Sequence, residues 1–339
     1  MTPTTDDAGH VAVLGAGCWA TAFAAVLADA GRRVQIWARR PGIVSSINAG
    51  QNAEYLPALD LPPTVSATGD PAEALTGADL VVIAVPAQSL RELASGWADH
   101  LPAQAPVVSL MKGLELGTGL RMTEILGEVA GVPPERQVAI SGPNLAGEIA
   151  RKQPAATIVA CTEMETARRV AGLCATSYFR PYPHADVIGA EIGGTVKNVV
   201  ALAVGMAEGM SMGDNTQATI ITRGLAEITR LAVRVGAEPQ TLMGLAGVGD
   251  LIATSMSPMS RNRTFGVNLG AGMTIDEVLA MTRATTEGAS SCRAVLDLAG
   301  RHGVEMPIAA AVAAVVDGRN TPRQVVEQLM ARERKHERI

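Results

Sequence analysis

The chain has 339 residues, of which 47% are hydrophobic and 18% charged, and its formal net charge is -5. This length suggests about two domains, and the balance argues against a disordered chain or one that coats nucleic acid. The four cysteines lie too far apart for a metal site and indicate reduced thiols. No apolar stretch of membrane-spanning length runs free of charge and glycine, so we expect a soluble protein without membrane insertion. With the cysteines and the charge balance, this predicts a cytoplasmic protein with no metal and no nucleic-acid partner.

The N-terminal half alternates short apolar runs with helical patterns. Continuous apolar runs are typical of parallel strands that are buried on both faces. A helical pattern over 19–30 separates the first two runs and completes one βαβ unit. The series predicts an α/β domain over 1–185 with a Rossmann-type doubly wound parallel sheet. The predicted strands are 10–14, 34–38, 80–85, 107–111, 137–140 and 157–161.

The C-terminal half carries helical apolar spacing with no strand pattern between the helices. The spacing predicts an all-α C-terminal domain over 186–339, and ligands commonly bind in clefts between such domains. The predicted helices are 189–207, 216–235, 275–281 and 290–302.

The turn after the first predicted strand reads Gly-Ala-Gly-Cys-Trp-Ala over 15–20, which fits G-x-G-x-x-A. Gly15 allows the sharp turn, Gly17 lets the backbone approach a pyrophosphate, and the following helix offers free N–H groups. This context predicts a dinucleotide site rather than an unrelated loop. The second predicted strand is followed by Arg39 and Arg40 instead of a carboxylate, which favours NADP, or use of both NADP and NAD. The alternative is that both are ordinary surface arginines.

Further segments resemble the prokaryotic-type NAD(P)-dependent glycerol-3-phosphate dehydrogenases, in the same order and with matching spacing. Together with the glycine turn they are far more specific than the turn alone. The segments are MKGLE at 111–115, SGPNLAGE at 141–148, GGTVKN at 193–198, GVGD at 247–250 and SRNR at 260–263. The resemblance implies reversible hydride transfer between NAD(P)H and dihydroxyacetone phosphate, giving sn-glycerol 3-phosphate for phospholipid biosynthesis.

Ketone reduction needs a proton donor and a group that polarises the carbonyl, and a lysine can serve both needs. Lys197 lies in an otherwise apolar and small-residue segment, so we expect desolvation and a second cation, Lys112, to lower its pKa. By resemblance, Lys197 is the proton acceptor in alcohol oxidation. The alternative is a surface lysine that snorkels from an amphipathic helix.

The other site residues are predicted partly from their chemistry and partly from the resemblance. Ser260, Arg261 and Asn262 suit the oxygens of a phosphate monoester, and the alternative is a helix cap at Ser260. The alternative for Asn144 is that it is only a helix N-cap. The alternative for Asp250 is that it is an ordinary turn aspartate. The predicted substrate-binding residues are Lys112, Gly142, Asn144, Lys197, Asp250, Ser260, Arg261 and Asn262. The predicted cofactor-binding residues are Gly15, Gly17, Cys18, Trp19, Arg39, Arg40, Tyr55, Lys112, Ala146, Arg261, Thr285 and Glu287.

Two other functions compete. A β-hydroxyacid or 6-phosphogluconate dehydrogenase shares the two-domain plan but acts on a carboxylate, and the Ser260 to Asn262 cluster argues against it. A non-catalytic dinucleotide sensor would have no need of Lys112, Lys197 and Asp250 together. A homodimer is a family-level expectation.

Overall fold

The computed structural model describes residues 9–281, 287–333 and 336. The described chain divides into two compact units. The first runs to Met111 and resumes over Met122–Val187, and the second contains Lys112–Arg121 and the chain from Ile188 onwards. The predicted ranges, 1–185 and 186–339, group residues 112–121 with the N-terminal domain instead. The segment belongs with the second unit because Leu114 is fully buried in that unit's core.

Eight strands of the described chain form one sheet, in the order β10-β9-β8-β7-β6-β1-β2-β5. The sheet and the helices around it confirm the predicted Rossmann-type fold, and β1 has the predicted bounds. Strand β5, strand β10 and the β3–β4 hairpin were not predicted. The strands are β1 (His10–Leu14), β2 (Arg33–Trp37), β3 (Gln51–Asn52), β4 (Leu56–Asp60), β5 (Val65–Thr68), β6 (Leu80–Ile83), β7 (Val107–Ser109), β8 (Gln137–Ser141), β9 (Ala155–Ala160) and β10 (Phe179–His184).

One pair of strands departs from the predicted parallel arrangement. Strands β8 and β9 pair antiparallel, whereas the other neighbours in this sheet are parallel. The helix between them, Ala146–Ala150, has only five residues. It rises about 7.5 Å, less than half the roughly 17 Å length of a five-residue strand, so it is too short to carry the chain back along the sheet.

The core of the first unit lies where the strands meet the helices on the sheet faces. Strand β6 is buried at every position, as its run of leucine, valine and isoleucine predicts. Helix α1 buries Phe23 and Leu27 against the sheet, and Phe23 also contacts Phe179 edge to face. The helices of this unit are α1 (Cys18–Asp29), α2 (Pro41–Asn48), α3 (Pro71–Leu75), α4 (Leu90–Trp97), α5 (Met122–Ala130), α6 (Ala146–Ala150) and α7 (Met164–Cys174).

Apart from an isolated bridge between Leu114 and Arg121, the regular secondary structure of the second unit's described residues is helical. This confirms the predicted all-α domain. A π-helical turn, Leu245–Gly249, directly precedes α11. The helices are α8 (Val187–Gly209), α9 (Asp214–Val235), α10 (Pro239–Leu242), α11 (Asp250–Met256), α12 (Arg261–Gly270), α13 (Ile275–Met281), α14 (Glu287–Arg301), α15 (Pro307–Val316) and α16 (Pro322–Met330).

Helix α8 is the central helix of the second unit. By length and composition it could cross a membrane, but 89% of its most apolar window is buried inside the protein, as expected of a core helix. Val196, Val199 and Leu202 on α8 pack in one cluster with residues of α9, α12 and α14. A polar side chain on α8 is therefore held in a largely apolar surround.

Candidate active site

The dinucleotide turn occupies the predicted position between β1 and α1. Gly15 has a positive φ of 119°, and a Cβ there would lie 2.4 Å from the carbonyl oxygen of Ala84, so only glycine fits. Gly17 is the N-cap of α1, without a side-chain cap, and a Cβ there would meet nothing within 4 Å. Open space beside uncapped helix N–H groups is what a pyrophosphate requires. The turn therefore fits a dinucleotide.

The two arginines after β2 differ in their surroundings. Arg40 is paired with Glu54 at 2.6 Å, donates to the Tyr55 hydroxyl at 3.0 Å and lies over its ring. Arg39 is exposed and has no ion pair within the described residues. Arg39 is thus the arginine available to a 2′-phosphate, since the Glu54 carboxylate beside Arg40 opposes a second negative charge.

Of the other predicted cofactor residues in the first unit, Cys18 and Trp19 belong to the turn, and Ala146 lies on α6. Cys18 begins α1 and donates its thiol hydrogen to the Tyr55 carbonyl oxygen at 2.8 Å. Trp19 packs against Phe23, and its buried Nε1 has no hydrogen-bond partner among the described residues. Ala146 is the first residue of α6.

In the second unit, Asp250 lies between two lysines. Its Oδ1 is 2.7 Å from Lys197 Nζ, and its Oδ2 is 2.6 Å from Lys112 Nζ. Lys197 is only 6% exposed and Asp250 only 1%. The surface-lysine alternative for Lys197 is therefore wrong, and so is the ordinary turn aspartate for Asp250.

Helix packing explains why these groups meet. On α8, Gly193 precedes Lys197 by one helical turn, and a Cβ there would lie 2.5 Å from the carbonyl oxygen of Ala246. Glycine thus lets the π-helical turn approach α8 closely, and Asp250 begins α11 directly after that turn. π-helical turns often occur at functional sites.

Thr254 completes the cluster and was missed by sequence reasoning. It lies one turn after Asp250 on α11, accepts a hydrogen bond from Lys197 Nζ, and donates to Asp250 Oδ1 at 3.2 Å. The signal available in the sequence was the i, i+4 spacing from Asp250, which places both side chains on one helix face. That spacing is too common to be diagnostic alone.

The electrostatics of the cluster favour proton transfer near neutral pH. Burial lowers the pKa of Lys197 to about 8, with the positive charge of Lys112 acting in the same direction and Asp250 opposing both. Burial also raises the pKa of Glu287, whereas Arg261, Lys112 and Lys197 lower it. These five ionisable groups therefore share one electrostatic environment, with Lys197 poised to gain or lose a proton.

The predicted phosphate cluster, residues 260–262, lies at the N-terminus of α12. Ser260 is the N-cap and accepts from the Arg263 backbone N–H at 3.2 Å, so the helix-cap alternative is correct. Its hydroxyl hydrogen can still be donated. Asn262 is buried, and its Oδ1 accepts from the Gly288 backbone N–H at 2.9 Å, which leaves Nδ2 as a donor. Arg261 is exposed at the same helix end, and these donors suit an anion.

The last two predicted cofactor residues are Glu287 and Thr285, and only Glu287 is among the described residues. Glu287 is the first residue of α14, and Thr285 lies outside the described residues. The contacts of Asn262 with Gly288 connect the phosphate cluster to the first turn of this helix.

The 141–144 turn follows β8. Gly142 is buried with a positive φ of 145°. Asn144 donates from Nδ2 to Thr157 Oγ1 at 3.0 Å. The N-cap alternative for Asn144 is wrong, because α6 begins at Ala146 with Leu145 as its N-cap.

Comparison with known proteins agrees with this geometry. Residues 10–167 match the family model for the N-terminus of NAD-dependent glycerol-3-phosphate dehydrogenase, and residues 186–327 match the model for its C-terminus. The chain is 56% identical over 330 residues to glycerol-3-phosphate dehydrogenase (NAD(P)+) of Thermobifida fusca, covering 97% of this chain and 98% of the relative. The chain belongs to the NAD-dependent glycerol-3-phosphate dehydrogenase family.

Further members of the family have similar sequences and structures. Glycerol-3-phosphate dehydrogenase (NAD(P)+) of Streptomyces griseus is 54% identical over 328 residues, covering 96% of this chain and 98% of the relative. The crystal structure of glycerol-3-phosphate dehydrogenase from Coxiella burnetii superimposes with a TM-score of 0.92 at 35% identity, covering 96% and 99% of the two chains. As a glycerol-3-phosphate dehydrogenase family member, the chain is an oxidoreductase that uses NAD or NADP.

Proposed function

We propose that this chain catalyses reversible hydride transfer between NAD(P)H and dihydroxyacetone phosphate, with Lys197 as the proton-transferring residue. The observation that carries the proposal is the buried contact of Lys197 with Asp250, 2.7 Å apart, together with the lowered Lys197 pKa of about 8. The reaction is inferred from the family membership, and buried Lys197 is the acid–base group that this reaction needs.

The Gly15–Gly17 turn and the start of α1 would hold the pyrophosphate of the dinucleotide. Arg39 would hold a 2′-phosphate, which favours NADP. The bound nicotinamide supplies the hydride in reduction and accepts it in oxidation.

The second unit would hold the substrate and move the proton. Ser260, Arg261 and Asn262 bind the phosphate at the α12 N-terminus. In reduction, protonated Lys197 Nζ donates its proton to the ketone oxygen as C2 becomes an alcohol carbon. In oxidation, neutral Lys197 accepts the proton from the C2 hydroxyl.

Asp250 keeps both lysine side chains in place. Each of its carboxylate oxygens contacts one ammonium group, so neither lysine can turn away without losing a charge-assisted hydrogen bond. Lys112 adds a positive charge that stabilises negative charge developing on the ketone oxygen. In this arrangement Asp250 is a positioning residue and Lys112 an electrostatic one.

The test is the initial rate of NADPH and NADH oxidation with dihydroxyacetone phosphate, beside a carboxylate-bearing ketone. We expect turnover only with the triose phosphate, and faster with NADPH. K197A should lower kcat by two or more orders of magnitude without weakening NADPH binding. The matched control is K152A, since Lys152 is an exposed lysine of the first unit. Near-normal turnover by K197A would remove Lys197 from the mechanism, and turnover with the carboxylate alone would reassign the substrate.

We also propose that the protein is cytoplasmic and that it supplies glycerol 3-phosphate to phospholipid synthesis. We propose, too, that it forms a homodimer. The dimer can be tested by light scattering on the purified protein, where a mass near 35.0 kDa would show a monomer instead.

A further inference from the structure

Thr157 on β9 is fully buried and makes two hydrogen bonds to the 141–144 turn. Its Oγ1 lies 2.8 Å from the Ser141 carbonyl oxygen and 3.0 Å from Asn144 Nδ2. A carbonyl oxygen can only accept, so the Thr157 hydroxyl must donate its single hydrogen to Ser141. It is then left to accept from Asn144.

This order of donors fixes the orientation of the Asn144 amide. Only the NH2 group of Asn144 can donate to Thr157, so the amide oxygen must point the other way. That oxygen, Oδ1, is buried and has no hydrogen-bond partner among the described residues, and the same holds for the neighbouring Ser141 hydroxyl. A buried acceptor without a partner is destabilising, and a hydrogen-bond donor on a bound ligand would satisfy it.

We infer that Thr157 is a positioning residue that fixes Asn144 so that Oδ1 accepts a hydrogen bond from a donor group of the bound ligand. The inference rests on the proposed function. A phosphate oxygen and a ketone oxygen are acceptors and do not fit. The groups that fit are the C1 hydroxyl of dihydroxyacetone phosphate and, on the cofactor, the carboxamide NH2 of the nicotinamide or a ribose hydroxyl.

The test compares four proteins: wild type, N144A, T157V and T157S. Valine matches threonine in shape but has no hydroxyl, whereas serine keeps the hydroxyl. Each protein is assayed with dihydroxyacetone phosphate and with the analogue whose C1 carries no hydroxyl, and the KM for NADPH is measured separately. Wild-type turnover of dihydroxyacetone phosphate is the check on the proposed function itself.

If Oδ1 accepts from the substrate, wild type prefers the hydroxyl-bearing substrate by about tenfold or more in kcat/KM. N144A and T157V then bring this ratio close to one, and T157S retains it. If Oδ1 accepts from the cofactor, N144A and T157V instead raise the KM for NADPH about tenfold, and T157S does not.

Each of the following outcomes would overturn the inference. Unchanged selectivity and unchanged KM for NADPH in N144A would show that Oδ1 meets no ligand donor. A T157V protein that behaves as wild type, or a T157S protein as impaired as T157V, would show that the Thr157 hydroxyl does not orient Asn144. A fall in Tm alone, without either kinetic change, would also reduce Thr157 to a packing residue.

Discussion

Lys197 shows how burial changes the chemistry of a common side chain. An exposed lysine is charged at neutral pH, but removal from water disfavours the charged form. Asp250 limits this effect and Lys112 adds to it, so the pKa of Lys197 is lowered to about 8. The amine can then act as an acid in one direction of the reaction and as a base in the other.

The two directions should therefore have opposite pH profiles. Oxidation of glycerol 3-phosphate needs neutral Lys197, so its kcat should rise through about pH 8, the pKa of Lys197, and then level off. Reduction needs protonated Lys197, so its kcat should fall as the pH rises above the same value. K112M removes a nearby positive charge, raises the Lys197 pKa and should move both inflections to higher pH. Flat profiles between about pH 7 and 9 in both directions would contradict this assignment.

Arg39 and Arg40 should contribute unequally to NADP binding. Arg40 is already paired with Glu54, whereas Arg39 is exposed and without an ion pair within the described residues. We expect R39Q to raise the KM for NADPH about tenfold while the KM for NADH stays the same, because only NADPH carries the 2′-phosphate. R40Q, the matched control, should have the smaller effect. Equal changes for both cofactors would contradict a contact to the 2′-phosphate.

At the scale of elements, the β1–turn–α1 unit assigns different physical roles to two glycines. Gly15 is required by the fold, since a Cβ would overlap the carbonyl of Ala84 at a positive φ. Gly17 faces open space, so the fold alone does not require it. The requirement at Gly17 comes from the pyrophosphate proposed to lie there.

Alanine at each position should separate these roles. G15A should lower the free energy of unfolding by about 1–3 kcal/mol, because the clash and the strained backbone exist without ligand. G17A should leave Tm without cofactor near the wild-type value but weaken NADPH binding tenfold or more. Thermal unfolding and cofactor titration measure the two effects. A G17A protein that binds NADPH normally would argue against a pyrophosphate at this turn.

At the scale of the whole molecule, residues 112–121 are packed into the second unit although the chain on both sides belongs to the first. Leu114 is fully buried in the core of the second unit, and Arg121 pairs with the buried Glu191 at 2.7 Å. The same segment contributes Lys112 to Asp250. The second unit is thus assembled from two separate stretches of chain.

Replacing Leu114 by serine should have opposite effects in two contexts. In the full chain, L114S should cost about 2–5 kcal/mol of stability because it leaves a cavity and buries a hydroxyl. In a fragment of residues 1–187, which lacks most of the second unit, L114S should raise the soluble yield because it removes an exposed apolar side chain. Denaturant unfolding and sedimentation test the two effects. A full chain unaffected by L114S would contradict the burial of Leu114.

Local patterns in the sequence were sufficient to predict the Rossmann-type domain, the helical domain and the glycine turn. Continuous apolar runs, helical spacing and glycines at a strand–helix junction are local signals, and the structure has β1 at the predicted residues. The family resemblance added the reaction and most of the candidate site, since its motifs are also contiguous segments.

The tertiary structure alone decided the features that depend on residues far apart in the sequence. These are the antiparallel β8–β9 pair, the membership of residues 112–121, the Asp250 contacts with Lys112 and Lys197, and the pairing of Arg40 with Glu54. Strand direction and desolvation are set by which elements pack together. The Asn144 orientation likewise depends on Thr157, on a different strand, so no local pattern could predict it.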